Sequence, residues 1–103
     1  MYNDKKIAVV IPCYNEEKLI SKTILGIPDY VDTVIIVNDC STDSTSDEIS
    51  KVISEKSGLD YTVINNSKNL GLGRSIKIGY KCALNKSADI AVVMAGDNQM
   101  DPV

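Results

Sequence analysis

Four short runs of β-branched and small apolar residues, at positions 7–11, 34–37, 61–64 and 90–94, alternate with stretches of helical periodicity. No other feature restricts the chain as much. The unbroken run at 7–11 reads as a strand buried on both faces, and the later runs repeat the strand signal. Strand and helix in strict alternation predict an α/β fold, a Rossmann-like parallel sheet with helices on both faces and right-handed crossovers. A chain of 103 residues, 44% of them apolar, has length for one domain and enough apolar surface for a core.

The connecting segments carry helix signals. Pro12 stops the first run, Asn15 is placed to cap a helix, and Glu16 and Glu17 suit its positive end. Leu19, Ile20, Thr23, Ile24 and Ile27 then recur at helical spacing before Pro28. After the second run, Ser, Thr and Asp crowd positions 41–47 as caps, Asp43 foremost, for a helix with Ile49, Val52 and Ile53 as its apolar stripe and Gly58 as its stop. A third helix is predicted over 73–85, with Ile76, Tyr80, Ala83 and Leu84 turned inward.

Composition removes several kinds of chemistry. There is no histidine, which excludes serine–histidine triads, imidazole bases and histidine metal sites. Eleven basic against fourteen acidic residues give a net charge of −3, and the basic residues are scattered, so no nucleic-acid partner is expected. Cys13, Cys40 and Cys82 form neither a zinc spacing nor a disulfide framework, which predicts a reducing, cytoplasmic setting and cysteines that pack as small apolar side chains. No apolar run approaches the roughly 20 residues that span a bilayer.

Function is suggested by where the polar residues fall. Each apolar run ends in residues that a core has no use for: Tyr14, Asn15 and Glu16, then Asp39, then residues 65–69, then Asp97 and Asn98. In a parallel sheet all four clusters lie at the carboxyl ends of the strands, where open α/β sheets bind ligands. A dinucleotide fingerprint is absent, because the glycines follow the third run, as Gly71 and Gly73, and Ile76 stands where a third glycine belongs. No phosphate loop of the Gly-Lys-Ser type is present. A phosphoacceptor receiver domain is excluded as well, since the third run ends in Asn65 and Asn66 rather than in an aspartate.

Four segments in order resemble the family 2 glycosyltransferases of the GT-A fold. They are Ile-Pro-Cys-Tyr-Asn-Glu-Glu at 11–17, Val-Asn-Asp-Cys-Ser-Thr-Asp at 37–43, Asn-Leu-Gly-Leu-Gly-Arg at 69–74 with Gly79, and Ala-Gly-Asp-Asn-Gln-Met-Asp-Pro at 95–102. The last is most similar to the branch that moves sugars onto polyprenyl phosphates. The resemblance implies a nucleotide-diphospho-sugar donor, with Pro12 and the Tyr14 ring cradling the base, Glu16 and Asp39 accepting hydrogen bonds from base or ribose, and Gly73 lining the donor loop. It further implies Mg2+ or Mn2+ at Asp97, with Gln99 close to the metal, offsetting charge on the leaving diphosphate.

The sequence departs from the family in two respects. Ala95 stands where the metal motif has its first aspartate, and residues 1–103 contain no match to the family's catalytic base. The expectation is therefore the donor-binding part of a longer enzyme, inactive alone, whose acceptor is a lipid phosphate or a glycan and whose full length associates with membranes. A nucleotide-binding module without turnover is the alternative. A domain ending after the fourth strand would leave that strand as a bare edge, open to self-association by strand pairing.

Overall fold

The computed structural model describes residues 3–56 and 58–95, together with the backbone of 99–101. Its strands are β1 (Ile7–Cys13), β2 (Thr33–Asn38), β3 (Asp60–Asn65), β4 (Ile90–Ala95) and β5 (Gln99–Asp101). Three helices lie between them: α1 (Ile20–Leu25), α2 (Thr45–Glu55) and α3 (Leu72–Asn85). The five strands are joined in one sheet in the order β3-β2-β1-β4-β5. The first four strands run parallel, and β5 returns antiparallel to β4.

The alternation of side chains along β1 divides the core in two. Ile7, Val9, Ile11 and Cys13 face one side, where Ile20 and Ile24 of α1 and Ile49 and Val52 of α2 cover them. Ala8 and Val10 face the other, with Ile35, Val37 and Val93, under α3. The helices thus lie on both faces, as the strand runs require. The edge strand β3 is less buried, with Val63 39% exposed.

Several boundaries differ from the sequence reading. β1 runs past Pro12, which pairs with Val37, while pairing with β4 ends at the Val10–Val93 step, so the missing N–H of Pro12 falls where β1 has passed its partner on that side. α1 begins only at Ile20, and Asn15 does not cap it: residues 17–19 form a turn in which the Glu16 carbonyl accepts from the Leu19 and Ile20 amides. Glu16 and Glu17 therefore precede the helix. α2 ends at Glu55, before Gly58. On α3 the buried stripe is Ser75, Gly79 and Ala83, with Ile76 and Tyr80 partly buried and Leu84 turned out, 74% exposed. Nor is β4 a bare edge, because β5 pairs along it from Val93 to Ala95.

Small residues bring α3 close to the sheet. A Cβ built on Gly79 would stand 2.2 Å from Cγ1 of Val10, a stiff, fully buried side chain of β1. Only glycine allows this approach.

Candidate functional site

The strand order fixes where a ligand belongs. From β1 the chain proceeds to β2 and β3 on one side, then crosses to place β4 on the other, so the order reverses between β1 and β4. The crevice outside the carboxyl ends at such a reversal is where open α/β sheets take their ligands.

Tyr14 leaves β1 at this edge with its side chain 45% exposed. Asn15 follows in the left-handed region, at φ 52°. Its amide donates to Ser41 Oγ at 3.1 Å, and its side-chain carbonyl accepts from the Thr42 amide at 2.8 Å. The Glu16 amide donates to Thr45 Oγ1 at 2.9 Å. The loop after β1 is thereby stitched to the loop after β2, and Glu16 is held half-buried beside it.

Asp43 is the fastener between these loops. One carboxylate oxygen accepts from the Thr45 amide at 3.0 Å and the Thr45 hydroxyl at 2.5 Å, and the other from the Glu17 amide at 3.4 Å. Burial pushes this carboxyl up, but the bonds from Thr45 and Glu17 together hold it below its ordinary value. The cap expected of Asp43 is seen at the first helical amide, while Ser44 in the N-cap position makes no side-chain cap.

Asp39 is the hub at the end of β2. It is 4% exposed, and its Oδ1 accepts from the Leu70 amide at 2.7 Å and Asn66 Nδ2 at 2.9 Å. Oδ2 accepts from the Gly71 amide at 2.9 Å. Burial is the largest influence and raises the carboxyl. The donors from Leu70, Asn66, Gly71 and Ser75 outweigh it, so Asp39 lies below the usual carboxylate value. Neighbouring Asn38, also buried, is consumed internally: its Nδ2 donates to Ser46 Oγ at 2.7 Å and Asn65 Oδ1 at 3.3 Å.

The bonds of Asp39 fix the start of α3. Gly71 occupies the N-cap position at φ 92°, a conformation that favours glycine. Gly73 and Arg74, in the first turn, are exposed at the same sheet edge, and a Cβ on Gly73 would meet nothing within 4 Å. Gly73 thus leaves room in front of the helix rather than relieving a clash.

Cys13 lies beneath these loops, 4% exposed. Burial, with the charges of Glu16, Asp43 and Asp39, pushes its thiol up to about 12, so it stays protonated and packs as a small apolar group. Of the two metal candidates, Asp97 lies outside the described residues, and Gln99 is described only as backbone of β5. Among the described residues no three carboxylate or thiol side chains gather to hold a cation.

Pro12, Tyr14, Glu16, Asp39 and Gly73 therefore lie on one edge, on or directly after β1 and β2 and at the start of α3. Asn66 lies in the polar cluster 65–69 that the sequence sets at this edge, without a role of its own there, and Ser75 was not singled out. Their signals are an asparagine one residue past a strand, and a small polar residue four positions before Gly79 on the buried face of a helix. A small concavity of about 240 Å³ beside the site is lined by residues 15–19 and Asp43.

Comparison with known proteins gives the same direction. The family model described as Glycosyl transferase family 2 matches residues 8–103. The chain is 35% identical to the UDP-N-acetylglucosamine--dolichyl-phosphate N-acetylglucosaminyltransferase of Methanococcus voltae, over 96% of this chain and 44% of that protein. Its fold matches a mannosyltransferase from Pyrobaculum calidifontis in complex with GDP-Man and Mn2+, with TM-score 0.77, 20% identity, and coverage of 93% of this chain and 28% of that one. It also matches glucosyl-3-phosphoglycerate synthase from Mycobacterium tuberculosis in complex with Mn2+, UDP and phosphoglyceric acid, with TM-score 0.68, 25% identity, and coverage of 90% and 33%. The chain spans less than half the length of each of these proteins. With four ordered motifs, a parallel sheet that reverses between β1 and β4, and a family match over nearly its whole length, the chain belongs to the family 2 glycosyltransferases.

Proposed function

We propose that this chain is the donor-binding part of a glycosyltransferase that takes its sugar from a nucleotide diphosphate. The observation that carries the reading is the meeting of Tyr14, Glu16, Asp39 and Gly73 at the carboxyl edge where the strand order reverses. In this reading the Tyr14 ring and the turn at Pro12 receive the base, Glu16 and the Asp39 region meet base or ribose, and Gly73 gives the diphosphate room beside α3. Asp97 and Gln99 would hold Mg2+ or Mn2+, which when bound offsets charge on the leaving diphosphate. Oxygens of the donor's own diphosphate would complete the coordination.

The acceptor reading follows the Methanococcus voltae relative, whose name specifies a dolichyl phosphate. Transfer to a lipid phosphate would take place at a membrane surface, with the transferase part on its cytoplasmic side. No helix among the described residues is long and apolar enough to cross a membrane. We further propose that residues 1–103 bind donor but do not turn it over alone.

Titration calorimetry with UDP, GDP and their sugar conjugates, with and without Mn2+, tests the reading. One base should bind, and Asp97→Ala should abolish the enhancement by Mn2+. A folded chain that binds neither nucleotide would contradict it.

A further inference from the structure

We infer that Asp39 and Asn66 are positioning residues of the donor site, acting on the nucleotide through the segment Leu70–Arg74 rather than through the carboxylate alone. The inference rests on the donor-site reading and says how one part of that site is built. The Asp39 carboxylate already accepts from two backbone amides of this segment, Leu70 and Gly71, and from Asn66 Nδ2. A carboxylate offers about four acceptor positions, and these three donors together with Ser75 take them up.

Asn66 is itself tied on three sides. Its amide donates to the Asn38 carbonyl at 2.9 Å, and its Nδ2 donates to Asp39 and, at 3.3 Å, to Ser75 Oγ. Ser75 is buried, one helical turn after Gly71. The ends of β2 and β3 and the first turn of α3 are therefore one hydrogen-bonded unit. Gly71, at φ 92°, is the point where the chain turns from the loop held by Asp39 into the helix that presents Gly73 and Arg74. Loss of the Asn66 anchor would let that turn shift without removing a group that this reading sets against the ligand.

A double-mutant cycle on nucleotide affinity separates the two roles of Asp39. Nucleoside diphosphate binding is titrated on the unaltered chain, Asp39→Asn, Asn66→Ala and the combination, with amide exchange followed at Leu70 and Gly71. Asn66→Ala should weaken binding about fivefold to tenfold, the scale of one lost hydrogen bond. The combined variant should bind no more weakly than Asp39→Asn alone, since both remove the same support. Exchange at Leu70 and Gly71 should accelerate in each. Ser75→Ala is a milder second probe, because alanine suits a buried helix position, and it should weaken binding about twofold to threefold. A role confined to stability would lower the melting temperature and leave the affinity of the folded protein unchanged, which overturns the inference. Unaltered affinity in both Asn66→Ala and Ser75→Ala, with Asp39→Asn weakened, would mean that Asp39 acts by direct contact, and overturns it too. Absence of nucleotide binding by the unaltered chain would instead remove the donor-site reading itself, and the inference with it.

Discussion

At the scale of single residues, the least replaceable position is a glycine outside the site. Gly79 lets α3 lie against Val10, and an added methyl would be 2.2 Å from Cγ1 of that valine. Overpacking of this kind costs about 1–3 kcal/mol, so Gly79→Ala should lower the urea midpoint, and Val10→Ala in the same chain should recover part of the loss. Purely additive losses would mean that the two do not touch. Cys13 makes a second test. Its thiol is pushed up to about 12 from 9.0, chiefly by burial, so the folded state resists forming the thiolate. That contribution to stability is complete below the unfolded value near 9.0 and is lost as pH rises toward 12. Replacing Cys13 with alanine should flatten the alkaline side of the stability profile. In the folded protein Cys13 should also escape alkylation at pH 8, whereas Cys40, which is only partly buried, should react. Early labelling of Cys13 would contradict the burial argument.

At the scale of elements, strands were easier to read than helix ends. β1 to β4 stand where the strand runs lie, extended by one or two residues, most clearly β1 and β2, whose burial on both faces leaves little choice of residue. The start of α1 was not legible. Asn15 looks like a cap in sequence, but its side chain is drawn to the Thr42 amide, 27 positions away, and a turn delays the helix to Ile20. β5 is three residues long, too short to show a period. The support of the site was hidden for a related reason: Asn66 and Ser75 act through bonds to Asp39 and to each other that no local pattern announces. α1 itself has only six residues and no side-chain N-cap, and Lys56 compensates from beyond the end of α2. Its Nζ donates to the carbonyls of Ile24, Leu25 and Ile27 at 3.1, 3.2 and 2.9 Å. Lys56→Met should therefore destabilise the chain by about 1–2 kcal/mol, with faster amide exchange concentrated in α1. A loss spread evenly over all three helices would show that Lys56 does not hold α1.

At the scale of the whole molecule, one sheet with helices on both faces carries its polar network at the carboxyl edge. That network sets the response to acid. Asp39 and Asp43 both lie below their ordinary value of 3.8, because their hydrogen bonds outweigh the upward push of burial. A lowered folded value means stability that is present above 3.8 and lost as pH falls through the folded value. Asp39→Asn should make the acid limb of the stability curve shallower, and an unchanged limb would remove Asp39 from the account. The concavities among the described residues include the one by Asn15 and Asp43 at the carboxyl edge and an apolar one of about 300 Å³ lined by Tyr80, Ala83, Leu84, Ala88, Asp89 and Ala91, between the end of α3 and the start of β4. The central claim is that the first edge is the donor site. Amide shift mapping with UDP and GDP in the presence of Mg2+, which is diamagnetic, tests it most directly. The account predicts changes confined to residues 14–17, 39–43, 66, 70–74 and 97–99; changes centred on Tyr80 and Leu84, or none at all in a folded chain, would contradict it.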